Sequence, residues 1–186
     1  MLVEARDRMY TRMIRSSFGS MGHTSRVDVP FIAFGERQIH IGDHVTVGAG
    51  SLFNASKTAQ IVIGSNTHIG GNLTLIAWDR VEIGPNVIFA RGVTVIDHQH
   101  RTADPEVPIS AQGWDQIAPV EIKRGAWLGT NAVVMPGVTI GRNAIVGANA
   151  VVTRDVPDHG VAVGAPARLL ERRSYEYSDP RGLVGM

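Results

Sequence analysis

The densest run of side chains able to do chemistry is Asp97-His98-Gln99-His100, two imidazoles with a carboxylate beside the first. An imidazole is the usual group for taking a proton from a nucleophile near neutral pH. Two histidines at i and i+2 could also ligate a metal, a reading weighed below the base, and the plain alternative is the polar opening of a loop. The remaining histidines, His23, His40, His44, His68 and His159, read as solvent-facing or turn residues. Several other chemistries have nothing to run on. The chain has no Cys, which excludes a thiol nucleophile, thiolate zinc sites, iron–sulfur clusters and disulfides. It has no Gly-x-Gly-x-x-Gly after a strand, no P-loop and no Gly-x-Ser-x-Gly elbow, so a serine relay is unsupported.

Reactive residues need a scaffold, and here it announces itself by repetition. An aliphatic residue followed by Gly recurs in steps of six, as in Ile41-Gly42 and Val47-Gly48, Ile63-Gly64 and Ile69-Gly70, Ile83-Gly84, Leu128-Gly129, Ile140-Gly141 and Val146-Gly147. From Ile122 the phase is unbroken through Leu128, Val134, Ile140, Val146 and Val152. A period of six is not helical, because 3.6 residues per turn rotates successive members off one face. It fits short strands joined by turns. Three such sides closing a triangular coil stack residues ~18 apart at the strand spacing of ~4.8 Å. The aliphatic residues then fill the prism. The glycines after them, with pairs such as Pro85-Asn86, Pro136-Gly137 and Arg142-Asn143, are expected to supply the corner conformations.

Breaks in the repeat are as informative. Ile41 to Ile63 spans 22 residues and Ile63 to Ile83 spans 20, a coil plus small corner insertions. Ile83 to Ile122 spans 39, a coil plus 21, and the surplus falls at Asp97–Pro119. An insertion of that length in a compact domain is usually functional, and it should project from one corner. Residues 1–18 read as a partly amphipathic helix, with Leu2, Met9, Met13, Ile14 and Phe18 apolar, capping the open edge of the first coil. The expected division is a helical cap and lead-in over 1–35, an all-β solenoid over 36–168 with the extruded loop 97–119, and a C-terminal helix (Leu169–Arg173) and poorly ordered tail over 169–186.

At 186 residues, 44% hydrophobic and 19% charged, the chain suits one domain with a sizeable core. A net charge of +1 offers no overall field for nucleic acid or anionic membrane. No run is long enough to span a membrane, and the start lacks the apolar core of a secretory signal. With Cys absent, a cytoplasmic protein is expected.

Four stretches, taken with the repeat, resemble the hexapeptide-repeat acyltransferases, in the branch of the maltose, galactoside and polysaccharide O-acetyltransferases. They are Val95-Ile96-Asp97-His98-Gln99-His100, Gly125-Ala126-Trp127-Leu128-Gly129-Thr130, Val134-Met135-Pro136-Gly137-Val138-Thr139-Ile140-Gly141 and Val163-Gly164-Ala165-Pro166-Ala167-Arg168. The resemblance covers about Gly22 to Arg173. It implies a left-handed parallel β-helix, a handedness that periodicity cannot show. It also implies acetyl-CoA as co-substrate, a sugar or glycan acceptor, a homotrimer with shared active sites, and no metal requirement.

On this resemblance His98 is the general base, taking the proton of a sugar hydroxyl as the oxygen attacks the thioester in a ternary complex. Asp97 orients the ring if the two adjacent side chains meet. His100 accompanies the base on the acceptor or the thioester oxygen. A γ-class carbonic anhydrase shares the fold, but it needs three imidazoles around zinc, two of them five apart. No such pair begins at His98. For the cofactor the resemblance points to Trp127, Gly129 and Thr130 along the pantetheine arm, to Ala148 and Thr153 through backbone groups, and to Arg168 near the 3′-phosphoadenosine. For the acceptor it points to Asn72 and Asp79, with Trp114 offering an aromatic face to a sugar ring. Gly70 stands where the galactoside enzymes carry an Asn, and the loop after His98 is longer than theirs, which favours a larger glycan or lipid-linked sugar. N-acetylation of an amino sugar and a non-catalytic scaffold remain open alternatives. The scaffold reading expects His98 or the Arg168 segment to be missing.

Overall fold

The computed structural model describes residues 2–170. Short strands wind into a parallel β-solenoid of about seven turns. Wall one stacks Ser20–Met21, Ile39–Ile41, Gln60–Ile63, Arg80–Ile83, Val120–Ile122 and Thr139–Ile140. Wall two stacks Arg26–Val27, Thr46–Val47, His68–Ile69, Ile88–Phe89, Trp127–Leu128, Ile145–Val146 and Val161–Val163, and ends with Arg168–Leu169. Wall three stacks Phe31–Phe34, Ser51–Ala55, Thr74–Ala77, Thr94–Ile96, Val133–Val134 and Val151–Val152. The register follows the sequence spacing: Ile41 pairs with Ile63, Ile63 with Ile83, Ile83 with Ile122 and Ile122 with Ile140. Inward residues such as Phe53, Leu75, Ile122 and Leu128 are wholly buried, so the prism is a packed core with no lumen.

The corners differ from expectation in one respect. The glycine after each aliphatic residue does not make the turn; Gly129 lacks a left-handed φ. A Cβ on Gly129 would stand 2.6 Å from the backbone nitrogen of Ala148 in the next coil, so stacking of coils is what demands Gly there. The left-handed residue comes two places later, as in Asn66, Asn86 and Asn143 at one corner and Asn72, Asn131 and Asn149 at the next. Asparagine adopts that conformation at low cost.

Parallel pairing begins at Ser20 and not at 36, because Ser20–Met21 already pairs with His40–Ile41. The first coil escapes the pattern because Met21 replaces the aliphatic residue and Asp28 replaces the Gly after Val27. The helix α1 (Leu2–Ile14) lies on this coil and satisfies its free edge. Thr11 Oγ1 accepts from the Val27 amide at 2.9 Å, and Arg15 donates to the Gly22 carbonyl at 2.7 Å. At the other end Leu169 closes an antiparallel strand against Val161–Val163 and does not open a helix. Residues 171–173 of that expected helix, and the tail, lie outside the described residues.

Candidate active site

Wall three ends in the fourth coil at Ile96, and Asp97 turns inward at the corner, fully buried. Its carboxylate accepts from the Trp78 amide at 2.9 and 3.0 Å, the Asp79 amide at 2.8 Å and the Arg80 amide at 2.9 Å. Those amides belong to the same corner one coil earlier, between Thr74–Ala77 and Arg80–Ile83. Three amides converging on one point form an anion-binding nest, and Asp97 fills it.

Adjacent in sequence, Asp97 and His98 do meet: His98 Nδ1 lies 3.1 Å from Asp97 Oδ1. A carboxylate already taking backbone donors has only acceptors to offer, so Nδ1 carries the hydrogen and donates it. In the neutral ring Nε2 then keeps its lone pair, which is the tautomer a base requires. The imidazole is half-buried. Trp114 meets it edge-on at 4.8 Å and 84°, Trp78 lies at 5.5 Å, and the two indoles are 4.5 Å apart. His100 is exposed and stacks on Trp114 at 4.2 Å.

The extruded loop delivers Trp114. His98–His100 pairs antiparallel with Trp114–Ile117, and the hairpin base is closed by Ala118 N–H donating to the Asp97 carbonyl at 2.8 Å. At the tip Gln112 donates to the carbonyls of Asp104 and Val107 at 2.8 and 2.7 Å. The insertion is therefore an ordered arm that folds back over His98. Trp78 was missing from the sequence candidates. Its signal was available: Ile76 pairs with Ile96, and the same 20-residue offset carries Trp78 onto His98.

The other candidates separate into groups. Asp79 shares the His98 corner, with its amide on Asp97 and its side chain exposed. Asn72 sits at the opposite end of strand Thr74–Ala77 as a left-handed corner residue with φ 62°, so one chain does not bring it to His98. Trp127 points out of wall two, half-exposed, in register with Ile88 and Ile145. Thr130 and Ala148 are exposed at the corner beyond, while Gly129 is buried against Ala148. Thr153 follows wall three two coils past His98. Arg168 is exposed, its guanidinium near the carbonyls of Pro166 and Ala167, and with Arg154 it lines a cleft of about 230 Å³ at the end of the prism. Within one chain, the His98 corner and wall two therefore stand on different sides of the prism. Among the described residues no group of three His, Asp or Glu side chains gathers as metal ligands do.

A hexapeptide solenoid with a carboxylate-oriented histidine at a corner defines a class, the hexapeptide transferases. The family model described as bacterial transferase hexapeptide (six repeats) matches residues 119–154. The chain is 32% identical over 148 residues to the galactoside O-acetyltransferase of Escherichia coli, covering 80% of this chain and 70% of that one. It is 36% identical over 143 residues to a probable acetyltransferase of Mycobacterium tuberculosis, covering 76% of this chain but only 44% of that longer relative. A hexapeptide-repeat acetyltransferase of Vibrio cholerae, solved with acetyl-CoA, superposes with a TM-score of 0.61 at 28% identity, over 88% of this chain and 75% of that one. The chain belongs to the hexapeptide-repeat acyltransferase family, in the branch that holds the galactoside O-acetyltransferases.

Proposed function

We propose that this protein transfers the acetyl group of acetyl-CoA to a hydroxyl of a sugar or glycan, with His98 as general base. The observation that carries the reading is the His98–Asp97 pair, whose hydrogen bond leaves Nε2 as the free acceptor. The acceptor oxygen attacks the thioester carbonyl as Nε2 takes its proton, and the coenzyme A thiolate leaves and is reprotonated. With no Cys in the chain, direct transfer in a ternary complex is favoured over an acyl-enzyme. Trp78 and Trp114 give aromatic faces on which a sugar ring can lie beside the base. His100 and Asp79 stand at the rim as polar groups for acceptor oxygens. A cytoplasmic setting accords with the acetyl-CoA requirement and the cysteine-free sequence.

The reading includes a homotrimer with clefts between subunits. The prism interior is filled by side chains, and His98 and wall two face different ways. A neighbouring prism brings its wall two opposite the base, so that Trp127, Thr130 and Ala148 line the pantetheine path. Exposed apolar residues on the hairpin (Val107, Ile109, Ile117) and on wall two (Ile88, Trp127) supply contact surface. Cyclic closure then gives three equivalent clefts. The test is acetyl-CoA turnover against a panel of mono-, oligo- and lipid-linked sugars and amino sugars, with mass measured by light scattering under assay conditions. Turnover on hydroxyl acceptors by a particle of about 60 kDa, three chains of 20.0 kDa, is expected. Turnover restricted to amino sugars would replace O- by N-acetylation, and a fully active particle of one chain would sink the shared cleft.

Arg168 is assigned to the 3′-phosphate of the cofactor. Arg168→Ala should raise KM for acetyl-CoA about 10-fold with little change in kcat, as loss of a charge-assisted contact made equally in ground and transition states does. The defect should shrink with a cofactor lacking the 3′-phosphate. An equal defect with both cofactors would remove Arg168 from the phosphate.

A further inference from the structure

The helix α1 packs Tyr10 and Ile14 against the core, yet it leaves other apolar residues in the open. Its inner face carries Asp7 and Thr11, 4% and 3% exposed, while Leu2, Met9 and Met13 are 90%, 64% and 70% exposed. The polar inner face has a reason, since it satisfies the free backbone edge of the first coil. Nothing among the described residues covers the apolar outer face. At about 100° per residue, Leu2, Met9 and Met13 fall on one stripe. Arg6, paired with the Asp7 carboxylate at 2.8 Å, flanks it on one side, and Arg8 and Arg12 on the other. Behind Arg8 and Arg12, between the helix and the first coil, runs a groove of about 660 Å³ that Arg15, His23 and Arg26 also line. Arg15 is held by the Gly22 carbonyl and Arg26 by Asp28. Arg8 and Arg12 have no carboxylate partner among the described residues. The net charge of +1 for the whole chain conceals this local concentration.

A stripe of Leu and Met level with a row of arginines complements one kind of surface. Acyl chains at a bilayer interface accept the apolar side chains, and lipid phosphates accept the guanidiniums. A second copy of the helix would set arginine against arginine across the contact, which like-charge repulsion penalises. A free phosphate would fill the groove and leave the apolar stripe in water. We infer that α1 and the arginine groove behind it form a docking surface for an anionic phospholipid bilayer, with the helix lying in the headgroup plane. This surface lies on the first coil, separate from the His98 corner, and the inference does not depend on the acetyltransferase reading.

The test is sedimentation of the full chain with vesicles of phosphatidylcholine alone and of phosphatidylcholine mixed with phosphatidylglycerol. Binding is expected only to the anionic vesicles, weakening as salt is raised. Arg8→Gln with Arg12→Gln should weaken it by on the order of 30-fold. Met9→Ser with Met13→Ser should weaken it by on the order of 10-fold. All four side chains point away from the core contacts of α1, so thermal melting should be unchanged in both variants. Failure to bind anionic vesicles, or equal binding to neutral ones, overturns the inference. So does stabilisation by inorganic phosphate without vesicle binding, which would make the groove a free-anion site. A fall in solution mass in the Met9→Ser, Met13→Ser variant would assign the stripe to a second copy and overturn it as well.

Discussion

Replacing His98 by Ala is expected to lower kcat by about 10²–10⁴ while KM for acetyl-CoA stays nearly constant, the usual worth of a general base. The physical ground is narrow. Nε2 is the ring nitrogen left free beside two indoles, since Nδ1 is occupied by Asp97 at 3.1 Å. Folding should survive, because the ring stands outside the prism and Asp97 keeps its three backbone donors without it. His100→Ala should cost much less. His100 stacks on Trp114 at 4.2 Å, so its loss loosens one wall of the site and leaves the base in place. Initial rates at saturating acceptor and cofactor measure both. Near-normal kcat in His98→Ala would remove this histidine from proton transfer, and a larger loss in His100→Ala would exchange the two roles.

How much of this was legible in the sequence varies with the kind of constraint. Stacking repeats a demand at every coil, so the spacing of Ile41, Ile63, Ile83 and Ile122 gave the register directly. The excursion after Ile96 was equally plain as a surplus of chain. Its internal form was not, because the antiparallel pairing of His98–His100 with Trp114–Ile117 rests on contacts made only within the arm. Trp78 stayed hidden because its place beside His98 depends on applying the coil offset to an outward corner residue, where the repeat imposes no residue type. Gly129 shows the opposite case: its type is dictated by the backbone of Ala148 pressing against it, so the residue type alone carries no signal of a ligand. The first coil was missed because Met21 and Asp28 depart from the aliphatic–Gly pattern while its strands still pair with the next coil. Side chains that a whole array specifies could be read from spacing; those specified by a single contact needed the family resemblance or the structure.

The contact between Asp97 and His98 is of that second kind, and it carries the other large expected effect. Asp97→Asn keeps one oxygen for the amide nest and replaces the other by NH₂. The oxygen must face Asp79 and Arg80, because turning the NH₂ toward their N–H groups would oppose donor to donor. The NH₂ then faces His98 Nδ1, which can only accept, so the ring hydrogen moves to Nε2. The base is lost although every heavy atom is close to its place. A drop in kcat of about 10²–10⁴ is expected, comparable with the cost of the wrong tautomer in other carboxylate–histidine pairs. Stability should fall by about 1–2 kcal/mol, since neutral acceptors replace charge-assisted ones. Asp97→Ala should behave differently. It leaves the amides of Trp78, Asp79 and Arg80 without their acceptor at a buried corner, and about 3–5 kcal/mol of stability should go with it. Thermal melts and kcat measured on both variants separate the two functions of this carboxylate. If Asp97→Asn melts lower but turns over normally, the residue only fastens two coils together. If it melts almost normally and fails to turn over, Asp97 sets the tautomer of the base.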